Sequence, residues 1–308
     1  MPAPTLRLGT RASPLARWQA DWVAGQLSQR GIEVQMVPLT THGDQDWGGP
    51  IGAIGTQGVF TKAIQRVLLA GEIDLAVHSL KDLPTEPVAG IVLAAVPERG
   101  PAGDVLVTSR AESWETLPPQ AVVGTGSLRR RAQLWHARSD LVMHDVRGNV
   151  ETRLAKLDAG QYDALVLAEA GLARLGLAGR ITQILPRDLM LPAVGQGALG
   201  IEARQDDTAT RGVLAPLNDL GTQQAVLAER AMLAALRGGC LAPVAAWGRR
   251  EDALLHLVGV VLAADGSRRL EASGSAAPDQ AEQLGQAVAE QLLSQGAGQL
   301  IEASRTVI

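Results

Sequence analysis

Apolar positions along this chain recur with a period of two in some stretches and near 3.6 in others, and the switches between the two mark out its elements. Residues 5–9 read as a short strand, closed by Thr10-Arg11-Ala12. Ser13-Pro14 then signals a helix start, with serine as N-cap and proline at the first helical position. Leu15, Trp18, Trp22 and Val23 give that helix an apolar stripe, Gly31 ends it, and a strand over 32–39 follows. Strand, helix, strand is the opening of an α/β domain. Residues 40–58 carry six glycines and little periodicity, which reads as a long loop of the kind that serves as a lid. A helix over 59–70, opening at Phe60 and stopped by Gly71, leads to a clean buried strand over 73–77. That strand runs directly into His78-Ser79-Leu80-Lys81-Asp82-Leu83-Pro84. Chargeable residues at the C-terminal end of such a strand lie where open α/β sheets bind ligands.

Around 96–104 the run Pro-Glu-Arg-Gly-Pro-Ala-Gly breaks the periodicity, so a crossing between domains is expected there. A second α/β unit follows: strand 121–123, the turn Gly124-Thr125-Gly126-Ser127, helix 128–138 capped by Ser127, strand 141–146, Arg147-Gly148-Asn149, helix 150–159 and strand 163–167. Leu191-Pro192-Ala193-Val194-Gly195-Gln196-Gly197 reads as a return crossing and 198–203 as a strand rejoining the first domain. After a helix near 207–214, the third part holds a helix over 222–236 that stops at Gly238-Gly239. It continues with strands over 244–247, 254–263 and 269–273, turned around Asp265-Gly266, and a last helix over 278–293. The expectation is an α/β fold of two domains joined by a double crossover, plus a small C-terminal α+β domain. The boundaries are 1–97 with 198–215, then 98–197, then 216–308.

Composition narrows the chemistry. No stretch approaches the roughly 18 apolar residues of a membrane span, and the start lacks a signal-like pattern, so a soluble cytoplasmic protein is expected. A net charge of −4 argues against general nucleic-acid affinity. Of the 28 basic residues 25 are arginine, with only Lys62, Lys81 and Lys156 as lysines. A GC-rich genome produces that bias; so does recognition of carboxylates or phosphates by planar guanidinium groups. Gly195-Gln196-Gly197-Ala198-Leu199-Gly200 matches a dinucleotide fingerprint but leads into a strand rather than a helix, so no nucleotide site is expected, and no P-loop is present. His42, His78, His136, His144 and His256 lack metal-ligand spacing, and no metal is expected. Arg129, Arg130 and Arg131 crowd the first turn of a helix whose dipole they oppose, with Arg147 and Arg153 close behind, which favours an anion site over a solvated basic face. Asp82 beside Lys81 is either a surface ion pair or a carboxylate aimed at developing positive charge. Cys240, the only cysteine, follows the Gly-Gly helix stop and precedes Pro243. Alone it would read as an inert buried thiol.

Six stretches in order move both readings toward function: Leu-Arg-Leu-Gly-Thr-Arg-Ala-Ser-Pro-Leu-Ala (6–16), Ala-Val-His-Ser-Leu-Lys-Asp-Leu-Pro (76–84), Gly-Thr-Gly-Ser-Leu-Arg-Arg-Arg (124–131), Val-Arg-Gly-Asn-Val-Glu-Thr-Arg-Leu (146–154), Leu-Pro-Ala-Val-Gly-Gln-Gly-Ala (191–198) and Gly-Gly-Cys (238–240). Over nearly the whole chain the sequence resembles the porphobilinogen deaminase (hydroxymethylbilane synthase) family. The resemblance implies two domains like the halves of a periplasmic binding protein, a third carrying the cofactor cysteine, and a monomeric transferase of porphyrin and haem biosynthesis. Such an enzyme deaminates four porphobilinogen molecules and joins them head to tail into a linear tetrapyrrole. It implies a dipyrromethane cofactor bound through a thioether to Cys240, with Ser13, Lys81, Asp82, Thr125, Ser127, Arg129, Arg130, Arg147 and Gly148 around it. Asp82 is implied as the catalytic aspartate, and Arg11, Ser13, Arg147, Arg153, Arg174 and Gln196 as substrate-binding. Ala53 and Gln57 stand where the family commonly has lysines, and Gly126 where it often has serine. Two rival readings are a two-lobed module binding a small anion without chemistry, which leaves Cys240 and a third domain without a role, and an inactive family member.

Overall fold

The computed structural model describes residues 5–39, 56–239 and 242–305. The chain divides into two compact units, Met1–Arg99 with Ala198–Gln223, and Gly100–Gly197 with Gln224–Ile308. In chain order the first run is β1 (Leu6–Arg11), α1 (Pro14–Ser28), β2 (Val34–Leu39), α2 (Thr56–Leu69), β3 (Leu75–Ser79), a 3-10 turn (Leu80–Asp82) and β4 (Ile91–Ala95). Next come β5 (Asp104–Thr108), β6 (Val122–Gly124), α3 (Leu128–Ala137), β7 (Val142–His144), α4 (Val150–Asp158), β8 (Ala164–Ala168), α5 (Glu169–Arg174) and β9 (Gln183–Ile184). The last run is β10 (Leu199–Arg204), α6 (Thr208–Leu214), α7 (Leu220–Ala235), β11 (Val244–Glu251), β12 (Leu254–Leu262), β13 (Arg269–Ala276), α8 (Ala281–Ser294) and α9 (Ala297–Arg305).

In the first unit the strand order is β2-β1-β3-β10-β4. β1 runs parallel to β2 and β3, while β10 enters antiparallel to both β3 and β4. α1 begins as its sequence dictates: Ser13 Oγ accepts from Ala16 N, Pro14 sits in the first turn, and Gly31 closes the exit at φ +77°. The face it buries is Gln19, Ala20, Val23 and Leu27, one position round from the expected stripe. Leu15, Trp18 and Trp22 flank that face half-buried, Leu15 on the wall of a cavity described below. Leu8, Leu75, Ile201 and Leu214 complete the core.

The second unit repeats the pattern with the order β7-β6-β8-β5-β9. β6 is parallel to β7 and β8, and β5 is antiparallel to β8 and β9. In each sheet the reversed strand is the first one after a crossing, β5 after Arg99 and β10 after Gly197. The antiparallel β11-β12-β13 sheet packs against α7, α8 and α9 through Met232, Leu257, Val261, Leu284, Val288, Leu292 and Ile301. Its other face meets Ala132 of α3 and Leu191 through Ala245, Val260 and Leu262. The fold class is the expected α/β pair of sheets with a double crossover and a small α+β part. Five elements were not foreseen as such: β4, β5, α5, the two-residue β9, and α9, which follows Gly296 at φ +102°. The expected loop over 40–58 lies outside the described residues as far as residue 55, and α2 begins at Thr56.

Candidate active site and cofactor-binding residues

The Asp82 end of the first unit is built by β3. The strand is buried from Leu75 to His78, and the 3-10 turn then folds back, with Leu83 N donating to Leu80 O and Leu80 N to Ala198 O. Buried Leu80 and Leu83 anchor the turn, so Asp82 is left exposed and Lys81 half-buried. Asp82 opens on a cavity of about 280 Å³ that Arg11, Ser13, Gln19, Thr61, His78 and Ser79 also line, over an apolar floor of Leu15, Ile64 and Val77. Gln19 Nε2 donates to Ser79 Oγ at 2.7 Å, fixing that wall. Arg11, Ser13 and Asp82 are therefore brought together, whereas Lys81, next in the chain, is not among the lining residues. A carboxylate, a guanidinium and hydroxyls around an apolar floor suit a flat, partly charged organic ligand.

In the second unit the three consecutive arginines of α3 part company. Arg129 Nη1 and Nη2 donate to Asp104 at 2.7 and 3.1 Å, and Nη1 also to Leu191 O at 2.5 Å. Arg130 Nε donates to the same carboxylate at 2.8 Å and Nη1 to Val166 O at 3.1 Å. Arg131 pairs with Asp145 and lies over the Trp135 ring. The expectation that these cations crowd the helix N-terminus is thus corrected: two reach inward to a carboxylate that is 0% exposed. Burial alone would push the Asp104 carboxyl up, but the two guanidinium charges and their hydrogen bonds hold it far below the ordinary carboxylate range. Burial pulls Arg130 down from its ordinary value. Two guanidinium groups on one carboxylate leave a net positive charge inside this unit.

Thr125 and Ser127 serve the turn itself: Thr125 N donates to His144 O, Thr125 Oγ1 accepts from Ser127 N, and Ser127 Oγ accepts from Arg130 N as the α3 cap. The loop after β7 needs Gly148, because its φ is +114° and a Cβ there would sit 2.7 Å from the Thr152 side chain. Arg153 Nε donates to Gly148 O at 2.8 Å and Lys156 Nζ to Arg147 O at 3.1 Å, which ties down the backbone between the two arginines. Arg174 Nη2 donates to Gly197 O at 2.7 Å, and burial pulls its pKa down to about 10. Gln196 is fully buried, with Nε2 donating to Ala102 O and Gly103 O at 2.9 Å, so its amide braces the crossover. The fingerprint-like Gly195 and Gly197 have φ of +71° and +85° and lead into β10, in keeping with a crossing and not a nucleotide turn.

Cys240 and Leu241 lie outside the described residues. The chain just before them is clear. Arg237 N donates to Ala234 O and Gly238 N to Leu233 O, a Schellman closure of α7. Its left-handed residue is Arg237 at φ +51°, not the glycine the sequence pattern suggests; Gly239 follows at φ +59°.

Two residues of consequence were absent from the sequence reading. Asp104 heads an apolar run, Asp-Val-Leu-Val-Thr, and a lone acid at the start of a buried strand was its only signal. Glu202 interrupts the apolar run of β10 and lies 3.0 Å from His78 Nε2. Among the described residues no group of three or more His, Cys, Asp or Glu is placed to hold a metal, and no helix is long and apolar enough to cross a membrane.

The family described as porphobilinogen deaminase, dipyromethane cofactor binding domain, matches residues 6–212, and porphobilinogen deaminase, C-terminal domain, matches residues 223–294. The porphobilinogen deaminase of Pelobacter propionicus is 47% identical over 98% of each chain. That of Syntrophotalea carbinolica is 46% identical over 98% of this chain and 97% of its own, and that of Chlorobium phaeobacteroides 45% over 96% of each. Among solved structures, the methionine-binding protein MetQ overlays with a TM-score of 0.45 at 12% identity, covering 74% of this chain and 93% of that one. With two matched domains and near full-length relatives at such identity, the chain belongs to the porphobilinogen deaminase family.

Proposed function

We infer that this chain deaminates four porphobilinogen molecules and joins them into the linear tetrapyrrole hydroxymethylbilane, on a dipyrromethane primer held by Cys240. The observation that carries this is the match of residues 6–212 to the cofactor-binding domain of the family. The residues present fit such a group. Its rings bear acetate and propionate side chains, and the second unit offers a buried cluster of Arg129, Arg130 and Asp104 with one positive charge in excess. Arginine suits that task better than lysine because its planar fork meets a carboxylate with two parallel hydrogen bonds. When bound, the dipyrromethane supplies the pyrrole carbon to which each new unit is joined.

The side chains then divide the work. Asp82, exposed at its cavity, accepts from pyrrole N–H groups and stabilises positive charge that develops on a substrate ring as ammonia leaves. Arg11 and Ser13 face that cavity and bind substrate carboxylate, while Lys81, outside the cavity lining, is assigned to the cofactor. Arg147, on the loop shaped by Gly148, and Arg153, at the start of α4, together with Arg174, bind the carboxylates of the lengthening product, while Thr125 and Ser127 hold the turn before α3 in shape. Gln196 supports the site indirectly by bracing the crossover. In this reading the chain works as a cytoplasmic monomer of three domains: 1–97 with 198–215, then 98–197, then 216–308. A two-lobed module that only binds an anion is not favoured, since the family match includes the cofactor-binding and C-terminal domains.

The test is turnover of porphobilinogen by the purified chain. Release of ammonia together with a linear tetrapyrrole is expected, and Asp82→Asn is expected to lose nearly all of it. Full activity in Asp82→Asn would reject the assignment of Asp82.

A further inference from the structure

A buried acid–base pair stands behind the Asp82 cavity. His78, 7% exposed, lines that cavity and turns Nε2 toward Glu202 Oε2 at 3.0 Å across the β3–β10 pairing. Glu202 is 5% exposed, and its other oxygen accepts from Gln65 Nε2 of α2 at 2.9 Å. A carboxylate removed from water is costly unless it is matched. Neither His78 Nε2 nor Glu202 Oε2 has an aligned hydrogen-bond partner among the described residues, so their 3.0 Å contact acts through charge and gains most when the imidazole is protonated. Among the described residues, the other charged groups lining this cavity are Arg11 from β1 and Asp82 from the turn after β3; α2 contributes the neutral Thr61 and Gln65.

We propose that His78 is a second proton-handling residue of this cavity, taking up the proton that each condensation releases, with Glu202 as its positioning residue. This rests on the transferase reading given above. In each cycle the C–N bond of the substrate's aminomethyl group breaks and its electron pair leaves on nitrogen as ammonia. A C–C bond forms at the attacking pyrrole carbon, and the C–H bond there then breaks, its electron pair returning to the ring. The proton passes to neutral His78 and onward to ammonia or solvent, so no oxidant or reductant is needed. A carboxylate behind an imidazole fixes the ring and stabilises the imidazolium that forms.

Two measurements on the full chain with its cofactor test this. Ring-nitrogen NMR follows His78, whose signal is the one lost in His78→Gln. Glu202→Gln is expected to move that signal at one fixed pH, because the carboxylate 3.0 Å from Nε2 loses its charge. In steady-state kinetics His78→Gln is expected to lower kcat about 100-fold and to remove one limb of the pH profile, and Glu202→Gln to lower kcat while leaving KM little changed. Undiminished kcat and an unaltered profile in His78→Gln overturn the proposal. Should His78→Gln fail to fold, His78→Asn supplies the assignment, and an unmoved His78 signal in Glu202→Gln overturns the proposal alone. The intact mass separates the two readings. A wild-type chain without adduct defeats the transferase reading, whereas a normal adduct with normal His78→Gln kinetics defeats only the proton assignment.

Discussion

Asp104 decides where two of the three consecutive arginines point. Removing its charge leaves two buried guanidinium groups facing one another, a break of the kind that costs about 3–5 kcal/mol. Asp104→Asn is therefore expected to lower unfolding free energy by about that much in urea at neutral pH. A change below about 0.5 kcal/mol would show that the cluster matters little. The folded carboxyl lies below its ordinary value, so its contribution is complete above about pH 4 and is lost as pH falls toward the folded value. The Asn variant is expected to lack that segment of acid destabilisation in a pH series of melts. Arg147→Leu is expected to abolish chain initiation or elongation, and unchanged turnover would count against the carboxylate-binding role. At this scale the sequence announced a cation-rich turn but not its destinations. Asp104 stands 25 positions before Arg129, inside a stretch that reads only as a Pro/Gly-broken crossing. Which way a guanidinium reaches depends on a partner from another strand, and no local pattern encodes that.

At the scale of elements, the long periodic segments were legible: α1 with its Ser-Pro start, β3 as a buried run, and the Asp265-Gly266 turn between β12 and β13. The short ones were not. β9 is two residues long, and β4 and β5 flank a crossing rich in proline and glycine, so neither offers enough positions to show a period. The stop of α7 was legible as a place but not as a residue, because Arg237 takes the left-handed conformation that the sequence pattern assigns to Gly238 or Gly239. A left-handed non-glycine residue costs about 1–2 kcal/mol, partly offset in the unfolded chain by the freedom a glycine adds. Arg237→Gly is expected to raise stability modestly, by about 0.5–1 kcal/mol, in thermal unfolding; a clear loss would contradict this account of the helix end. Gly197→Ala should do the reverse. Its φ is +85° and a Cβ would lie 2.6 Å from Gly100 O, so a fall in Tm of several degrees is expected, and an unchanged Tm would mean the crossover backbone relaxes freely.

At the scale of the whole molecule, two sheets of matching order each receive a reversed strand after a crossing, and each brings its candidate residues to the strand ends: Arg11 and Asp82 in one, the Gly124–Ser127 turn and the Arg147 loop in the other. The six stretches spread along the chain made the family legible from sequence alone. The central claim is a covalent primer on Cys240, and intact mass spectrometry of the chain purified from a haem-making host tests it most directly. The account predicts a mass above the 32.2 kDa polypeptide by one dipyrromethane, an increment that Cys240→Ala removes. The bare polypeptide mass in the wild-type chain would contradict it.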